Sequence, residues 1–165
     1  MRSTTHYLVS GLSGQGGDAP PSVTGRDDDG GEGAAVRRKL NLLVVEDEAI
    51  SALALKRLVG RLGHVVCAMT ATAEDAIRLA GEVLPDVILM DIRLAGEMDG
   101  ITAASEIRAR FGIGSIFMTA NNDPVTRERA EGAQPLGFMD KPYSPMTVKT
   151  TLNTAAKHLG PITRN

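Results

Sequence analysis

The sequence predicts an α/β fold in which a doubly wound parallel sheet is covered by helices on both faces. From residue 40 to residue 159, short apolar runs alternate with longer segments of helical periodicity. The runs are nearly continuous in Leu, Val, Ile and Met, which is typical of strands buried on both faces. Strands that alternate with helices imply right-handed crossovers and one parallel sheet. We therefore expect five strands and five helices.

Each predicted strand is a short apolar run bounded by charged or turn-forming residues. The first is nearly all aliphatic, and Pro85 breaks the helix that precedes the third. The predicted strands cover residues 40–45, 64–68, 87–90, 115–118 and 136–139.

Capping residues and periodicity place the helices. Thr72, with Asp75 three residues later, approximates a capping box, and Asp123 before Pro124 is typical of an N-cap followed by proline at the first helical position. The helices are predicted over residues 49–62, 73–82, 100–111, 124–131 and 145–159. In the first helix, the expected buried face comprises Ile50, Leu53, Ala54, Leu58 and Leu62.

The composition divides the 165-residue chain into a tail and one domain. Residues 9–35 are rich in Gly, Ser, Pro and Asp and hold almost no large apolar side chain, so we expect residues 1–39 to be disordered. The domain is predicted over residues 40–160, with a short C-terminal tail at 161–165. Because only six residues follow Leu159, we expect no attached output domain.

Charge and cysteine content exclude several functional classes. The net charge is -2, and neither the tail nor the domain has the basic excess that direct nucleic-acid binding requires. No apolar run is long enough for membrane insertion or for a signal-peptide core. The single Cys67 cannot form an internal disulfide, which suits a cytoplasmic protein, and we expect its side chain to be buried.

Chemically reactive side chains follow four of the apolar runs. Glu46 and Asp47 follow the first, Asp91 the third, Thr119 the fourth and Lys141 the fifth. The carboxyl ends of parallel strands meet at one edge, where open α/β sheets bind ligands. Adjacent carboxylates repel one another unless a cation lies among them, and Mg²⁺ suits a site with few carboxylates. The edge is therefore expected to bind Mg²⁺, with Thr119 and Lys141 holding a phosphoryl group.

The ordered set of segments LLVVEDE, VILMDIRL, DG, IFMTA and GFMDKP resembles the receiver domain of bacterial two-component response regulators. The resemblance extends from Leu40 to Leu159. Within the family, the chain is similar to single-domain, CheY-like receivers. It implies a flavodoxin-like five-stranded sheet of order 2-1-3-4-5 with five helices.

The resemblance also implies a role for each residue of the edge. Asp91 would accept a phosphoryl group from a sensor histidine kinase or a histidine phosphotransfer protein, and a downstream protein target would detect the change. Thr119 and Phe138 would form the switch, and the resemblance implies a cis peptide before Pro142. The implied Mg²⁺ ligands are Glu46, Asp47, Asp91 and the backbone carbonyl of Arg93, and the phosphate-binding groups are Thr119, the Ala120 N–H and Lys141.

Other functions remain open at the level of sequence. A haloacid-dehalogenase-like, Mg²⁺-dependent phosphatase also uses an aspartate nucleophile, but it places a second Asp where this chain has Arg93. An unphosphorylated interaction module on the same fold and a phosphate sink are further alternatives. Any enzymatic activity is expected to be limited to the phosphorylation and dephosphorylation of Asp91 itself. Phe138 could also be a plain core aromatic residue.

Overall fold

A computed structural model of the chain describes residues 38–120 and 123–161. Most of the two predicted tails lies outside these residues. Strands and helices alternate along the described chain in the order β1 (Asn41–Val45), α1 (Ala49–Arg61), β2 (Val65–Thr70), α2 (Ala73–Val83), β3 (Val87–Asp91), α3 (Gly100–Phe111), β4 (Gly114–Thr119), α4 (Pro124–Gly132), β5 (Gly137–Asp140) and α5 (Pro145–His158).

All five strands are parallel and lie in the order β2-β1-β3-β4-β5, which confirms the predicted flavodoxin-like topology. The register brings the strand ends level with one another. Val45 pairs with Met90, Asp91 with Met118, and Thr119 with Asp140. The residues that follow β1, β3, β4 and β5 therefore meet along one edge of the sheet. None of the helices in the described ranges has the length and hydropathy needed to span a bilayer.

The two faces of the sheet bury separate apolar clusters. Along β1, Leu43 and Val45 belong to the cluster that includes buried residues of α2 and α3, whereas Leu42 and Val44 belong to the one that includes buried residues of α1 and α5. Successive side chains of a strand point to opposite faces, so continuous apolar strands fill both clusters. Helices α3 and α5 contribute Ile107 and Leu152 to these clusters, and both side chains are fully buried.

The predicted buried face of α1 is wrong for Ile50, Leu53 and Ala54, whereas its other two members, Leu58 and Leu62, are partly buried against the core. Ile50 is 80% exposed and Leu53 is 47% exposed, whereas Ala52, Leu55 and Val59 are buried. The sequence of α1 is apolar at most positions, so more than one stripe with helical spacing can be drawn through it. Packing on the sheet selects one stripe and leaves the other at the surface.

The expectation that Cys67 is buried is also wrong, because its side chain is exposed. Cys67 lies in a register shift of the edge strand β2: Leu42 pairs with Val66, but Leu43 pairs with Ala68. The extra residue of such a bulge leaves the regular ladder. Its thiol donates a hydrogen bond to the Leu42 carbonyl at 3.3 Å.

Arg38, which the sequence assigned to the tail, makes specific contacts with the domain. Its guanidinium donates to the Asp86 carboxylate at 2.6 Å and to the carbonyls of Leu159 and Gly160 at 3.1 and 2.9 Å. The second oxygen of Asp86 accepts the Asn41 N–H at 2.8 Å. These bonds join the start of β1 to the end of α5 and to the turn before β3.

Candidate functional site

Two of the predicted site carboxylates are buried at the carboxyl edge of the sheet. Glu46, directly after β1, is 3% exposed, and Asp91, the last residue of β3, is 7% exposed. Polar side chains are seldom buried to this extent without a partner. Their partner is Lys141, which follows β5 and reaches both of them.

The Lys141 ammonium bridges the two carboxylates. Its Nζ donates to Asp91 Oδ2 at 2.7 Å and to Glu46 Oε2 at 2.5 Å. Burial alone lowers the pKa of Lys141, but the bonds to Asp91 and Glu46 outweigh that effect and raise its pKa above the ordinary value. Lys141 is therefore a fixed positive charge in contact with the predicted phosphoacceptor.

Glu46 is held in place by two donors. The Lys141 ammonium binds one carboxylate oxygen, and the Glu48 N–H donates to the other at 3.2 Å. Burial raises the pKa of Glu46 above its ordinary value, although both hydrogen bonds act in the opposite direction. The Lys141 ammonium therefore offsets only part of the cost of burying an ionised Glu46.

Asp47 completes a three-carboxylate cluster with Glu46 and Asp91. One oxygen from each can lie within 4.8 Å of the others, and Asp47 is the exposed member. The Ala95 N–H donates to Asp47 Oδ2 at 3.2 Å and so orients the side chain.

The donor set of this cluster fits Mg²⁺. When ionised, its three carboxylates and the ammonium of Lys141 leave two negative charges, which a divalent cation balances. Hard carboxylate oxygens, few in number and partly open to solvent, are the ligands that Mg²⁺ takes while it keeps water molecules. The three predicted carboxylate ligands are thus brought together.

The loop after Asp91 folds back on its carboxylate. The Arg93 N–H donates to Asp91 Oδ1 at 3.0 Å, and the Ile92 N–H donates to the Met118 carbonyl at 3.1 Å. The main chain of Arg93 therefore lies beside the Asp91 carboxylate. Metal binding by the Arg93 carbonyl stays a prediction.

Thr119 is the last residue of β4, and Ala120 follows it at the same edge of the sheet as Asp91. Thr119 is 6% exposed, and its carbonyl accepts the Lys141 N–H at 2.7 Å, so the phosphate-binding residues predicted on β4 and β5 are joined directly. Ala120 is exposed. The Lys141–Pro142 peptide bond is cis, as the resemblance implied.

Gly100 is part of the site although its role was not predicted. A Cβ built on Gly100 would lie 1.9 Å from the Asp91 carbonyl oxygen, and the Gly100 N–H donates to the Ile92 carbonyl at 3.1 Å. The preceding Asp99 caps α3 by accepting the Thr102 N–H at 2.9 Å. The DG pair therefore starts α3 directly against the end of β3, a contact that only glycine permits.

Phe138 lies between the core and α4. The centroid of its ring is 5.8 Å from that of Phe117. The guanidinium carbon of Arg127 lies 3.6 Å from the Phe138 centroid. A cation stacked on an aromatic face is attracted by the ring quadrupole. Arg127 also bonds Glu131 at 3.2 Å, so α4 covers the predicted switch residue with a restrained cation.

Asp47→Ala is expected to leave the fold intact and weaken Mg²⁺ binding by about tenfold or more, since a direct charged ligand is lost. Isothermal titration with Mg²⁺ measures this change. Glu97→Ala is the matched control, because Glu97 is exposed in the loop after Asp91 and lies outside the cluster. Equal Mg²⁺ affinity in wild type and Asp47→Ala would contradict a metal site at the Glu46–Asp47 pair.

The chain matches known proteins over most of this fold. The family described as the response regulator receiver domain matches residues 42–153. The chain is 33% identical over 130 residues to the phyllosphere-induced regulator PhyR of Methylorubrum extorquens, covering 78% of this chain and 48% of that protein. It is 32% identical over 111 residues to the transcriptional regulatory protein PdtaR of Mycobacterium tuberculosis, covering 67% of this chain and 53% of that protein.

The chain spans about half the length of these two curated relatives. Among solved structures, the signal receiver domain of a modulated diguanylate cyclase from Desulfovibrio desulfuricans is similar with a TM-score of 0.70 and 30% identity, covering 74% of this chain and 97% of that one. The family match, the shared fold and the cluster at the carboxyl edge agree. The chain therefore belongs to the response regulator receiver domain family.

Proposed function

We propose that this protein is a phosphorylation-dependent signalling receiver in which Asp91 accepts a phosphoryl group. The observation that carries this proposal is the position of the Asp91 carboxylate, 2.7 Å from the Lys141 ammonium and clustered with Glu46 and Asp47. A sensor histidine kinase or a histidine phosphotransfer protein is the proposed donor. We place the protein in the cytoplasm, where a single unpaired cysteine stays reduced.

The proposed reaction is an in-line transfer to a carboxylate. An oxygen of Asp91 forms a bond to phosphorus while the bond between phosphorus and the donor's imidazole nitrogen breaks, and the released electron pair stays on that nitrogen. Negative charge is spread over the phosphoryl oxygens during transfer, so positioning and electrostatic stabilisation dominate the catalysis. The Lys141 ammonium supplies positive charge at Asp91, and the Arg93 N–H fixes the orientation of the carboxylate.

Mg²⁺ held by Glu46, Asp47 and Asp91 would neutralise charge on the phosphoryl group and on the carboxylates themselves. The chain's own residues account for the remaining interactions. The Thr119 hydroxyl and the Ala120 N–H lie at the end of β4 and are the proposed partners of the other phosphoryl oxygens. The Lys141 N–H bond to the Thr119 carbonyl keeps these partners together.

The exposed stripe of α1, formed by Ile50 and Leu53, is a proposed docking surface for the donor protein. Ile50 and Leu53 are exposed on the helix that begins two residues after Asp47, so the stripe starts beside the site that the donor must reach. Exposed apolar side chains of this size are typical of protein interfaces when they form a patch. An apolar patch of this kind can bind a protein donor, whereas a small phosphorylated metabolite needs no docking surface.

Thr119 and Phe138 are proposed to carry the signal to the surface of α4, β5 and α5. If the phosphoryl group binds the Thr119 hydroxyl better in one conformation, phosphorylation shifts the population toward that conformation. Phe138 can respond because its ring contacts Phe117 in the core and Arg127 on α4. A downstream protein target that distinguishes the two populations completes the proposed pathway, and a phosphate sink would lack that target.

Thr119→Ala is expected to accept phosphate on Asp91 but to transmit a weaker change. Amide chemical shifts across residues 123–150 are recorded with and without beryllofluoride plus Mg²⁺, a stable mimic of the phosphoryl group. The shift changes in that range are expected to fall to less than about half of the wild-type values, because the hydroxyl supplies the differential affinity. Thr154→Ala, an exposed threonine of α5, is the control. A full response in Thr119→Ala would show that the switch runs elsewhere.

Incubation with a small phosphodonor followed by intact mass measurement tests the proposal against its alternatives. A receiver retains the mass of one phosphoryl group for a limited time, a phosphatase releases phosphate continuously, and an unphosphorylated interaction module does neither. Arg93, which occupies the place of the second phosphatase aspartate, is exposed and presents its N–H rather than an acid to Asp91. This contact favours the receiver over the phosphatase.

A further inference from the structure

A small cavity lies at the opposite end of β1 from the carboxylate cluster. It has a volume of about 180 Å³ and lies between the residues that precede β1, the turn from α1 to β2, and α5. Its polar lining residues are Arg38, Lys39, His64, Lys149 and Asn153. The cavity is distinct from the phosphoacceptor site, with which it shares no residue.

The lining is cationic. Three of the lining residues are basic and none is a carboxylate. Arg38 is neutralised by Asp86 at 2.6 Å, but Lys39 and Lys149 form no ion pair with any residue in the described ranges. Two positive charges are therefore left uncompensated by the described part of the wall.

His64 also lines this cavity. Its Nδ1 accepts the Leu40 N–H at 3.2 Å, so the proton of the neutral ring lies on Nε2. The Asn153 side chain can donate through its amide group. The lining thus supplies donors and positive charge together, which is the combination that binds an oxyanion.

Two features oppose an anion here, the Asp86 carboxylate that already binds Arg38 and the C-terminal end of α1. The C-terminus of a helix carries roughly half a negative elementary charge. In this helix, however, the carbonyls of Leu58, Val59 and Gly60 accept N–H groups of residues 62–64. Two lysine ammonium groups therefore outweigh the helix end.

We propose that this cavity binds a phosphate-type oxyanion, either free inorganic phosphate or the phosphate group of a small metabolite. A cavity of about 180 Å³ is smaller than the several hundred Å³ usual for drug-sized ligands, and it suits an anion of a few heavy atoms. A bound oxyanion would link the start of β1, the α1–β2 turn and α5 through one set of charge-assisted hydrogen bonds.

The test is a titration of the full chain, without Mg²⁺ and at constant ionic strength, followed by amide chemical shifts. Inorganic phosphate is the first ligand, and ribose 5-phosphate is the second. Saturable shifts of Lys39, Gly63, His64, Lys149 and Asn153 are expected. Tighter binding of ribose 5-phosphate than of phosphate identifies a metabolite as the ligand class, and equal binding identifies the free ion; both results support the cavity.

Three variants separate specific binding from a general charge effect. Lys149→Glu is expected to weaken phosphate binding by about tenfold or more, since a charge-assisted contact is replaced by repulsion. Lys149→Arg keeps the positive charge and is expected to bind phosphate with nearly the wild-type affinity. Lys157→Glu makes the same charge change at an exposed position of α5 outside the cavity and is expected to change the affinity less than about twofold.

Non-saturable shifts, or shifts centred on Asp91 and Lys141, would overturn the assignment of the cavity. Equal losses of affinity in Lys149→Glu and Lys157→Glu would also overturn it, because net charge alone would then explain binding. Neither result depends on the phosphorylation of Asp91, so the cavity and the proposed receiver function are tested separately.

Discussion

Asp91→Asn is expected to abolish retention of a phosphoryl group from a small phosphodonor. The amide oxygen is a poor nucleophile, and the substitution removes one charge from the cluster that would hold Mg²⁺. It also deprives Lys141 of an ionised partner, leaving Glu46 as its remaining carboxylate contact. Intact mass after incubation is expected to show only the unmodified protein, whereas the wild type carries one added phosphoryl group.

Asp140→Asn is the matched control for that experiment. Asp140 is an exposed carboxylate one residue before Lys141, and it lies outside the three-carboxylate cluster. The control is expected to be phosphorylated at nearly the wild-type level. Undiminished labelling of Asp91→Asn would contradict the assignment of Asp91 as the acceptor.

Gly100→Ala is expected to produce the largest loss of stability of the substitutions considered. The new Cβ would lie 1.9 Å from the carbonyl oxygen and 2.9 Å from the carbonyl carbon of Asp91, so backbone must move. Overpacking of this kind costs about 3 kcal/mol in the free energy of unfolding. Because the displaced group is the main chain of the acceptor, phosphorylation should fall as well. Urea unfolding and labelling with a phosphodonor measure the two effects.

Gly60→Ala provides the opposite expectation at a second glycine. A Cβ on Gly60 would meet no atom within 4 Å, and the residue lies within α1. Alanine in a helix is more favourable than glycine by about 0.5 to 1 kcal/mol, so this variant should be slightly more stable than the wild type. Equal urea midpoints for Gly100→Ala and Gly60→Ala would contradict the close approach of Gly100 in α3 to the Asp91 carbonyl in β3.

Much of the fold follows from local pattern because local pattern and packing agree in most elements. The apolar runs that became β1 and β3 are buried on both faces, and Asp123 and Pro124 begin α4 as predicted. Asp123 accepts the Thr126 N–H at 2.8 Å, which is the bond that makes aspartate a good N-cap. The clustering of Asp91 and Lys141 with the Glu46–Asp47 pair was predictable for the same reason, since each of these residues lies at the end of a recognisable strand.

The errors occur where several local patterns are equally good or where the determinant is distant. In α1, Leu53 and Leu55 are both leucines, and only packing on the sheet decides that Leu55 is buried. Arg38 looks like part of a polar tail, but its partners Asp86 and Leu159 are 48 and 121 residues away. Sequence spacing carries no information about such contacts.

Gly100 shows a different limit. The DG pair was recognisable as part of the family pattern, but its physical reason is a separation of 1.9 Å between a virtual Cβ and the Asp91 carbonyl oxygen. The signal available in the sequence is a glycine that directly follows an aspartate at the start of a predicted helix. It indicates a close approach of the backbone without identifying the partner strand.

The central claim is tested most directly by locating the phosphoryl group in the wild-type chain. The protein is incubated with Mg²⁺ and a small phosphodonor, the acyl phosphate is reduced with borohydride, and the resulting alcohol is located by peptide mass spectrometry. The account predicts one modified side chain, at Asp91, and no modification when Mg²⁺ is omitted. Retained phosphate on any other residue, or phosphate release without a trapped acyl phosphate, would contradict it.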